Sequence, residues 1–487
     1  MDLSFDPADV SLPSGHYIGG RHRPATGGVT LYRPSDGVAF ADCPIGDENL
    51  VDEAVQTALA ALKASGWASC RPRERVNAMH RWADLIEAEA ETLARLEAVA
   101  STRPVAQAIE ADVAITAEQI RFFAEMADKE GGDLVPTAES QMGMILTEPY
   151  GVVGAITPWN FPIAMAGWKL GPALAAGNAV VLKPSEMTPF STVYLAMLAE
   201  RAGLPAGLIN IVLGDGPTTG NAITGHPDIG KISFTGSTRA GQAIMANVAR
   251  IGVKPMTLEL GGKSPQIVFA DADMDLAADC VTRGIIANAG QVCVAGSRLL
   301  VEESAAEALA AAIARRMAEI RPGATWEAET GFPPIISQRQ IARIAEIVQA
   351  SVAQGAKVMA GGARIDRSGY FYQPTLLGEV RADSPAVTEE IFGPVLTMQT
   401  FRSEDEALML ARHPTYGLAA GVYTRDLSRA MRVTKRIEAG TVWVNRYGRS
   451  RDHILPTGGY KSSGIGKDLG REAYRANRRQ KSVLIDL

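Results

Sequence analysis

Three short segments of this 487-residue chain set reactive residue types in surroundings that suit chemistry. The first is Gly290-Gln291-Val292-Cys293-Val294-Ala295-Gly296-Ser297-Arg298. A cysteine attacks as its thiolate, which needs access and a lowered pKa, and main-chain amides of a glycine-rich turn or helix start can lower it. The second is Leu258-Glu259-Leu260-Gly261-Gly262-Lys263-Ser264-Pro265, in which Glu259 closes an apolar run just before two glycines. In a poorly hydrated site its pKa would rise, and it could serve as a general base. The plainer reading is an ion pair with Lys263 or a nearby arginine. The third is Ile156-Thr157-Pro158-Trp159-Asn160-Phe161-Pro162. An amide held between two proline-locked pieces is a preorganised donor for an oxyanion. Taken alone, Asn160 reads as an ordinary turn residue.

The elements that must position these residues follow from pattern. From 47 to 129 the texture is helical, with Val51, Ala54, Val55, Ala58, Leu59 and Leu62 at three- and four-residue steps, continued by Leu85, Ile86, Leu93 and Leu96. From 144 onward apolar runs alternate with helical segments. The runs Tyr150–Ile156, Ala179–Leu182, Leu208–Leu213, Lys231–Phe234 and Met256–Leu260 predict strands, and Ser191–Ala202 predicts a helix stopped by Gly203 and Pro205. Such alternation predicts a parallel α/β sheet with ligands beyond the C-terminal strand ends. A second α/β lobe is expected over 264–445. Residues 16–46 suggest short extended pieces, and 481–487 a terminal strand that pairs within the chain or with another subunit.

Composition narrows the class. The net charge is −6 and 46% of residues are hydrophobic, which describes an ordinary globular protein and argues against nucleic acid or an anionic membrane as partner. The length predicts more than one lobe. No apolar stretch has the length of a membrane helix and the N-terminus lacks a secretory pattern, so a cytoplasmic location is expected. The four cysteines, Cys43, Cys70, Cys280 and Cys293, form no C-x-x-C pair, so neither a zinc site nor a disulfide framework is expected.

Together the three segments, with others in order, resemble the aldehyde dehydrogenase superfamily over essentially the whole chain. The likeness rests on blocks at 148–162, 183–189, 234–241, 258–265, 288–298 and 389–395, followed by Gly458-Gly459-Tyr460-Lys461-Ser462-Ser463-Gly464. The resemblance implies an α/β fold with a Rossmann-like cofactor domain (1–130 and 150–261), a second α/β catalytic domain (262–476) and a small β oligomerisation ribbon (131–149 and 477–487). It implies oxidation of an aldehyde to its acid with reduction of NAD(P). Cys293 would carry a thiohemiacetal and then a thioester, Asn160 and the Cys293 amide would hold the oxyanion, Glu259 would activate the hydrolytic water, and Lys169 would tune proton transfer. It implies a homodimer or homotetramer. Relatives that pass the acyl group to coenzyme A lack the general-base glutamate, which is retained here as Glu259; a retired scaffold would have lost Cys293, Glu259 or Asn160.

No Gly-x-Gly-x-x-Gly follows the first strand, so the usual dinucleotide fingerprint is absent. By resemblance the cofactor lies along Ile156, Thr157, Pro158 and Trp159, with Ser185 and Gly216 nearby. Phe234, Gly236 and Ser237 would meet the pyrophosphate at a helix start, and Leu260, Gly261, Glu390 and Phe392 the nicotinamide end. Lys183 and Glu186 would bond the adenosine ribose; a carboxylate there favours NAD, while Lys183 leaves room for NADP.

The loop 446–457 departs from the commoner pattern. It carries Arg446, Arg449, Arg451 and His453, and has Thr457 where an aromatic often stands. With Phe161, Met165 and Trp168 it is expected to line the substrate entrance. Its cations suit a polar or acidic semialdehyde, unless they pair with Asp452 or with another subunit.

Overall fold

The computed structural model describes residues 3–449 and 453–487. The alternating runs become an eight-stranded sheet in the order Arg21–Arg23, His16–Ile18, Ile209–Ile211, Ala179–Lys183, Val152–Ile156, Ile229–Thr235, Met256–Glu259, Gly464–Ile465. Its central strands, from Ile209–Ile211 to Met256–Glu259, are parallel, and antiparallel pieces close both margins. Val152–Ile156 and Ala179–Lys183 are buried at every position. That is why they read as unbroken valine-rich runs: helices cover both faces of a parallel sheet, so no face alternates with polar residues. All the expected strands form, with ends moved by one or two residues. The helix Phe190–Arg201 stops before Gly203, which takes φ +88°.

The helical stretch becomes Glu48–Ser65, Pro72–Ala88, Ala90–Ala100 and Ala114–Met126, with shorter turns between the last two. Val51, Ala54, Val55, Ala58, Ile86, Leu93 and Leu96 are buried in the core of this sheet, and Leu59, Leu62 and Leu85 pack against it.

A second sheet of seven strands follows the order Lys357–Ala360, Thr375–Gly378, Val395–Phe401, Arg298–Glu302, Pro265–Val268, Ala419–Tyr423, Thr441–Val444. All but the first strand run parallel. The C-terminal strand Arg478–Asp486 pairs within the chain, antiparallel to Gln141–Pro149 with Ser482 opposite Ile145, and Asp133–Val135 adds a third strand. Among the described residues no helix is long and apolar enough to cross a membrane.

Candidate active site

Cys293 lies on the loop between the helix Met274–Ile286 and the strand Arg298–Glu302. Three successive residues, Asn288 (φ 47°), Ala289 (φ 51°) and Gly290 (φ 73°), take the left-handed region. For the two non-glycines this costs about 1–3 kcal/mol each, so the surroundings must hold them there. A Cβ on Gly290 would stand 2.1 Å from the Gly393 carbonyl oxygen, so only glycine fits. Gln291 fixes the turn from inside: its Nε2 donates to the carbonyls of Asn288 (2.9 Å) and Pro334 (3.0 Å), and its Oε1 accepts from Ile336 N (2.9 Å). Behind the thiol pack Val294, Leu418, Ala419 and Trp443.

The thiol departs from expectation in one respect. Its pKa is pushed up, not lowered: burial dominates, and the charges of Glu259 and Glu390 add to it, while Arg449 and the Val294 amide oppose. In a poorly hydrated pocket the cost of an unsolvated thiolate exceeds what the amide contributes.

Asn160 is buried at the turn joining the strand Val152–Ile156 to the helix Pro162–Ala175. Its Nδ2 donates to the Gln291 carbonyl at 2.9 Å, and its own carbonyl accepts from Asn288 Nδ2 at 2.9 Å. Thr102 Oγ1 donates to Asn288 Oδ1 at 2.7 Å and so fixes which way that amide faces. An amide nitrogen has a second hydrogen, so one donor of Asn160 is committed to the cysteine loop and the other is left for a ligand.

Glu259 ends its strand with Thr235 beside it on one neighbour and Gly464 on the other. Its Oε1 is buried without a hydrogen bond, and a Cβ on Gly458 would stand 2.8 Å from it. Burial, reinforced by Asp468, pushes the Glu259 carboxyl up to about 8, against Lys169, Arg449 and Lys467. Of the plainer reading, an ion pair with Lys263 or a nearby arginine, the lysine half is not met, since Lys263 Nζ is buried without a hydrogen bond, and the nearest arginine influence, Arg449, acts through its charge. Lys169 is buried on the helix Pro162–Ala175 and donates to Asp468 Oδ2 at 2.5 Å. Beside this pair Lys231 donates to Thr257 Oγ1 at 2.5 Å, and burial lowers its ammonium to about 8.

Other expected residues line up away from the thiol, along the C-terminal ends of the first sheet. Phe234 is level with Ile156, and Ile156 with Lys183. The Thr157 hydroxyl is buried without a partner. Lys183 is buried, donates to the carbonyls of Pro184 (2.9 Å) and Gly214 (2.7 Å), and lies 3.6 Å from Glu186, whose side chain is half-exposed. Burial lowers the Lys183 ammonium and Glu186 opposes it. Ser185 Oγ accepts from Met187 N. The exposed Gly216 opens a short helix, and a Cβ there would meet nothing within 4 Å. The Phe234 ring covers Gly236, and the exposed Ser237 caps the helix Thr238–Ile251 by accepting from Ala240 N at 3.2 Å. Leu260 packs on Gly241.

Toward the thiol, Glu390 Oε1 accepts from Gly262 N at 2.9 Å, and Gly261 lets its carboxylate approach. Phe392, at φ 55°, meets Trp159 edge-to-face at 5.3 Å, beside the half-buried Pro158. A narrow cleft runs between Gly262, Val292, Glu390 and Phe392.

On the substrate side Met165 and Trp168 are buried on the helix Pro162–Ala175, and Phe161 is half-buried under the Arg103 guanidinium at 4.7 Å. The cations of loop 446–457 separate. His453 turns inward, 3.7 Å from Glu118 and edge-on to Phe122. Arg446 is exposed. Arg451 and Asp452 lie outside the described residues. Arg449 lies over the Trp168 ring at 4.8 Å and donates to the buried Thr457 hydroxyl.

Sequence reasoning missed Asp468, Lys231, Thr102, Asn288 and Tyr447, whose hydroxyl donates to the Val294 carbonyl at 2.8 Å. Lys231 had a signal, since a lysine inside an apolar strand run is conspicuous. Asp468 had none, because its partner is 299 positions away.

Residues 23–483 match the model of the aldehyde dehydrogenase family. Retinaldehyde dehydrogenase 3 of Rattus norvegicus is 41% identical over 472 residues, covering 96% of this chain and 91% of that protein. An aldehyde dehydrogenase from Bacillus cereus, solved as its NAD+ complex, superposes with a TM-score of 0.96 at 38% identity over the full length of both chains. Betaine aldehyde dehydrogenase from Staphylococcus aureus, also solved with NAD+, gives 0.93 at 35% identity, covering 98% of this chain and 95% of its own. The chain belongs to the aldehyde dehydrogenase family.

Proposed function

We propose that this protein oxidises an aldehyde to its carboxylic acid with NAD, in preference to NADP, through a thioester on Cys293. The observation that carries this reading is the bond from Asn160 Nδ2 to the Gln291 carbonyl, which ties the oxyanion donor to the nucleophile loop within the electrostatic reach of Glu259.

The residues present fit a dinucleotide. The buried Thr157 hydroxyl lacks a partner, the ground before Gly216 is open, and the Glu186 carboxylate is half-exposed beside Lys183. Lys183 and Glu186 would hold the adenosine ribose, Ser237 the pyrophosphate, and Glu390 and Phe392 the nicotinamide end. Relatives solved with NAD+ support the same choice. When bound, NAD supplies a two-electron acceptor for hydride.

The chain's own residues do the rest. The Cys293 sulfur, after losing its proton, forms the C–S bond with the carbonyl carbon, and the second N–H of Asn160 with the Cys293 amide stabilises the oxyanion. Once oxidised, the acyl group stays on sulfur as a thioester. Glu259 takes a proton from water as its oxygen adds, the C–S bond breaks, the thiolate leaves and the acid departs. Lys169 and Asp468 set the charge around Glu259.

The first sheet forms the body of the cofactor domain (1–130 and 150–261), to which the catalytic domain (262–476), built on the second sheet, lends the margin strand Gly464–Ile465. The ribbon (131–149 and 477–487) is the edge for homo-oligomer formation. The exposed Leu134, Leu146 and Leu484 on the ribbon support the last assignment.

The test is initial-rate formation of NADH and acid from an aldehyde panel without coenzyme A. Wild type should turn over with NAD faster than with NADP, and Cys293→Ser should not turn over. Residual dehydrogenase activity in Cys293→Ser would refute the reading.

A further inference from the structure

The fold sets Arg449 between Trp168 and Thr457, the residue before Gly458, which borders the Glu259 carboxylate. Its guanidinium lies over Trp168 at 4.8 Å, one residue before Lys169 on the helix that also carries Met165. Its Nη2 donates to the Thr457 hydroxyl. With threonine instead of an aromatic ring at 457, that position offers the guanidinium a hydrogen bond. The charge of Arg449 reaches both the Cys293 thiol and the Glu259 carboxyl, since it opposes the effect of burial in each.

Of the other cations nearby, Lys231 donates to the Thr257 hydroxyl and Lys467 to the Gly458 carbonyl, and three more meet carboxylates. Lys169 is matched by Asp468, Arg103 by Asp112 at 2.6 Å, and His453 by Glu118. The contacts of Arg449 are an aromatic face and an uncharged hydroxyl, and among the described residues it has no carboxylate partner. A guanidinium presents several N–H donors in a planar fork that matches a carboxylate edge to edge. Stacking on Trp168 holds that fork in a set orientation, so little side-chain freedom is lost when an anion arrives. Arg449 is exposed, so water and salt screen its charge, and its selectivity comes chiefly from the set orientation of the fork and from the nearness of like or opposite charge on the aldehyde.

We infer that Arg449 selects aldehydes that carry a carboxylate remote from the carbonyl, and rejects cationic ones; the inference rests on the Cys293 thioester reading proposed above. Arg449 then grips the distal carboxylate while the carbonyl carbon lies at Cys293. The Trp168 and Met165 walls enclose the methylenes between.

The test compares kcat/KM at saturating NAD for 4-oxobutanoate, butanal and a trimethylammonio-substituted butanal. Wild type should prefer the oxo acid over butanal by about tenfold or more and use the cationic aldehyde worst. Arg449→Met should shrink the oxo-acid to butanal ratio by about 30-fold, chiefly through KM, and Arg449→Lys should fall between. Both rates will drop somewhat in Arg449→Met, because Cys293 loses a favourable charge; the ratio is the readout. Equal loss on both aldehydes, or a wild type without preference, would overturn the inference and leave Cys293-dependent turnover of butanal, and so the thioester reading, intact. Turnover that survives Cys293→Ser would overturn both.

Discussion

Thr102 and Asn288, 186 positions apart, share a buried 2.7 Å hydrogen bond from hydroxyl to amide oxygen. It orients the Asn288 amide so that its nitrogen donates to the Asn160 carbonyl. The segment after the helix Ala90–Ala100 thereby braces two loops that must meet: the one with the oxyanion donor and the one with the thiol. Thr102→Val removes the hydroxyl at nearly constant volume. A buried hydrogen bond is worth about 1 kcal/mol, so kcat should fall roughly fivefold with KM little changed, and Thr102→Ser should recover most of it. Steady-state kinetics at a temperature where all three remain folded checks this.

Asn160 itself should cost far more. Asn160→Ala deletes both the tie to Gln291 and the free donor, and loss of one oxyanion donor typically lowers turnover by about 10²–10³-fold. Asn160→Asp should fare no better, because an ionised carboxylate accepts and cannot donate. The pre-steady-state rate of NADH formation is the measurement; a loss under threefold would remove Asn160 from the role.

The pH dependence follows from Glu259. Burial raises its carboxyl to about 8, so below that pH most molecules hold it protonated and unable to accept a proton. Thioester hydrolysis should therefore quicken as pH rises from 6 through about 8 and then level. In Glu259→Gln the hydrolytic rate should be slow and flat across this range, save for attack by hydroxide at the alkaline end. Single-turnover release of acid, followed against pH, checks it.

The backbone of this account was legible in the sequence where a signal was local. Largely apolar runs closed by threonine or glycine predicted strands such as Val152–Ile156 and Met256–Glu259, because a strand covered on both faces of a sheet is mostly apolar. Glu259 was conspicuous as an acid at the end of such a run. The thiol's raised pKa was not legible, since it depends on how closely distant segments exclude water. The same holds for Asn288 and Ala289, non-glycines whose left-handed conformation is enforced by Gln291 and Thr102. Of the cations in 446–457 the pattern could not say which faces the site; Glu118 and Trp168, far back in the chain, separate His453 from Arg449.

The central claim, a covalent acyl group on one sulfur, is tested most directly by trapping it. Glu259→Gln enzyme mixed with NAD and a substrate aldehyde, quenched in acid within a turnover and digested, should show by mass spectrometry the acyl mass on the peptide bearing Cys293. Without NAD that peptide should be unmodified. An acyl mass on another residue, or none on Cys293 while NADH forms, would contradict it.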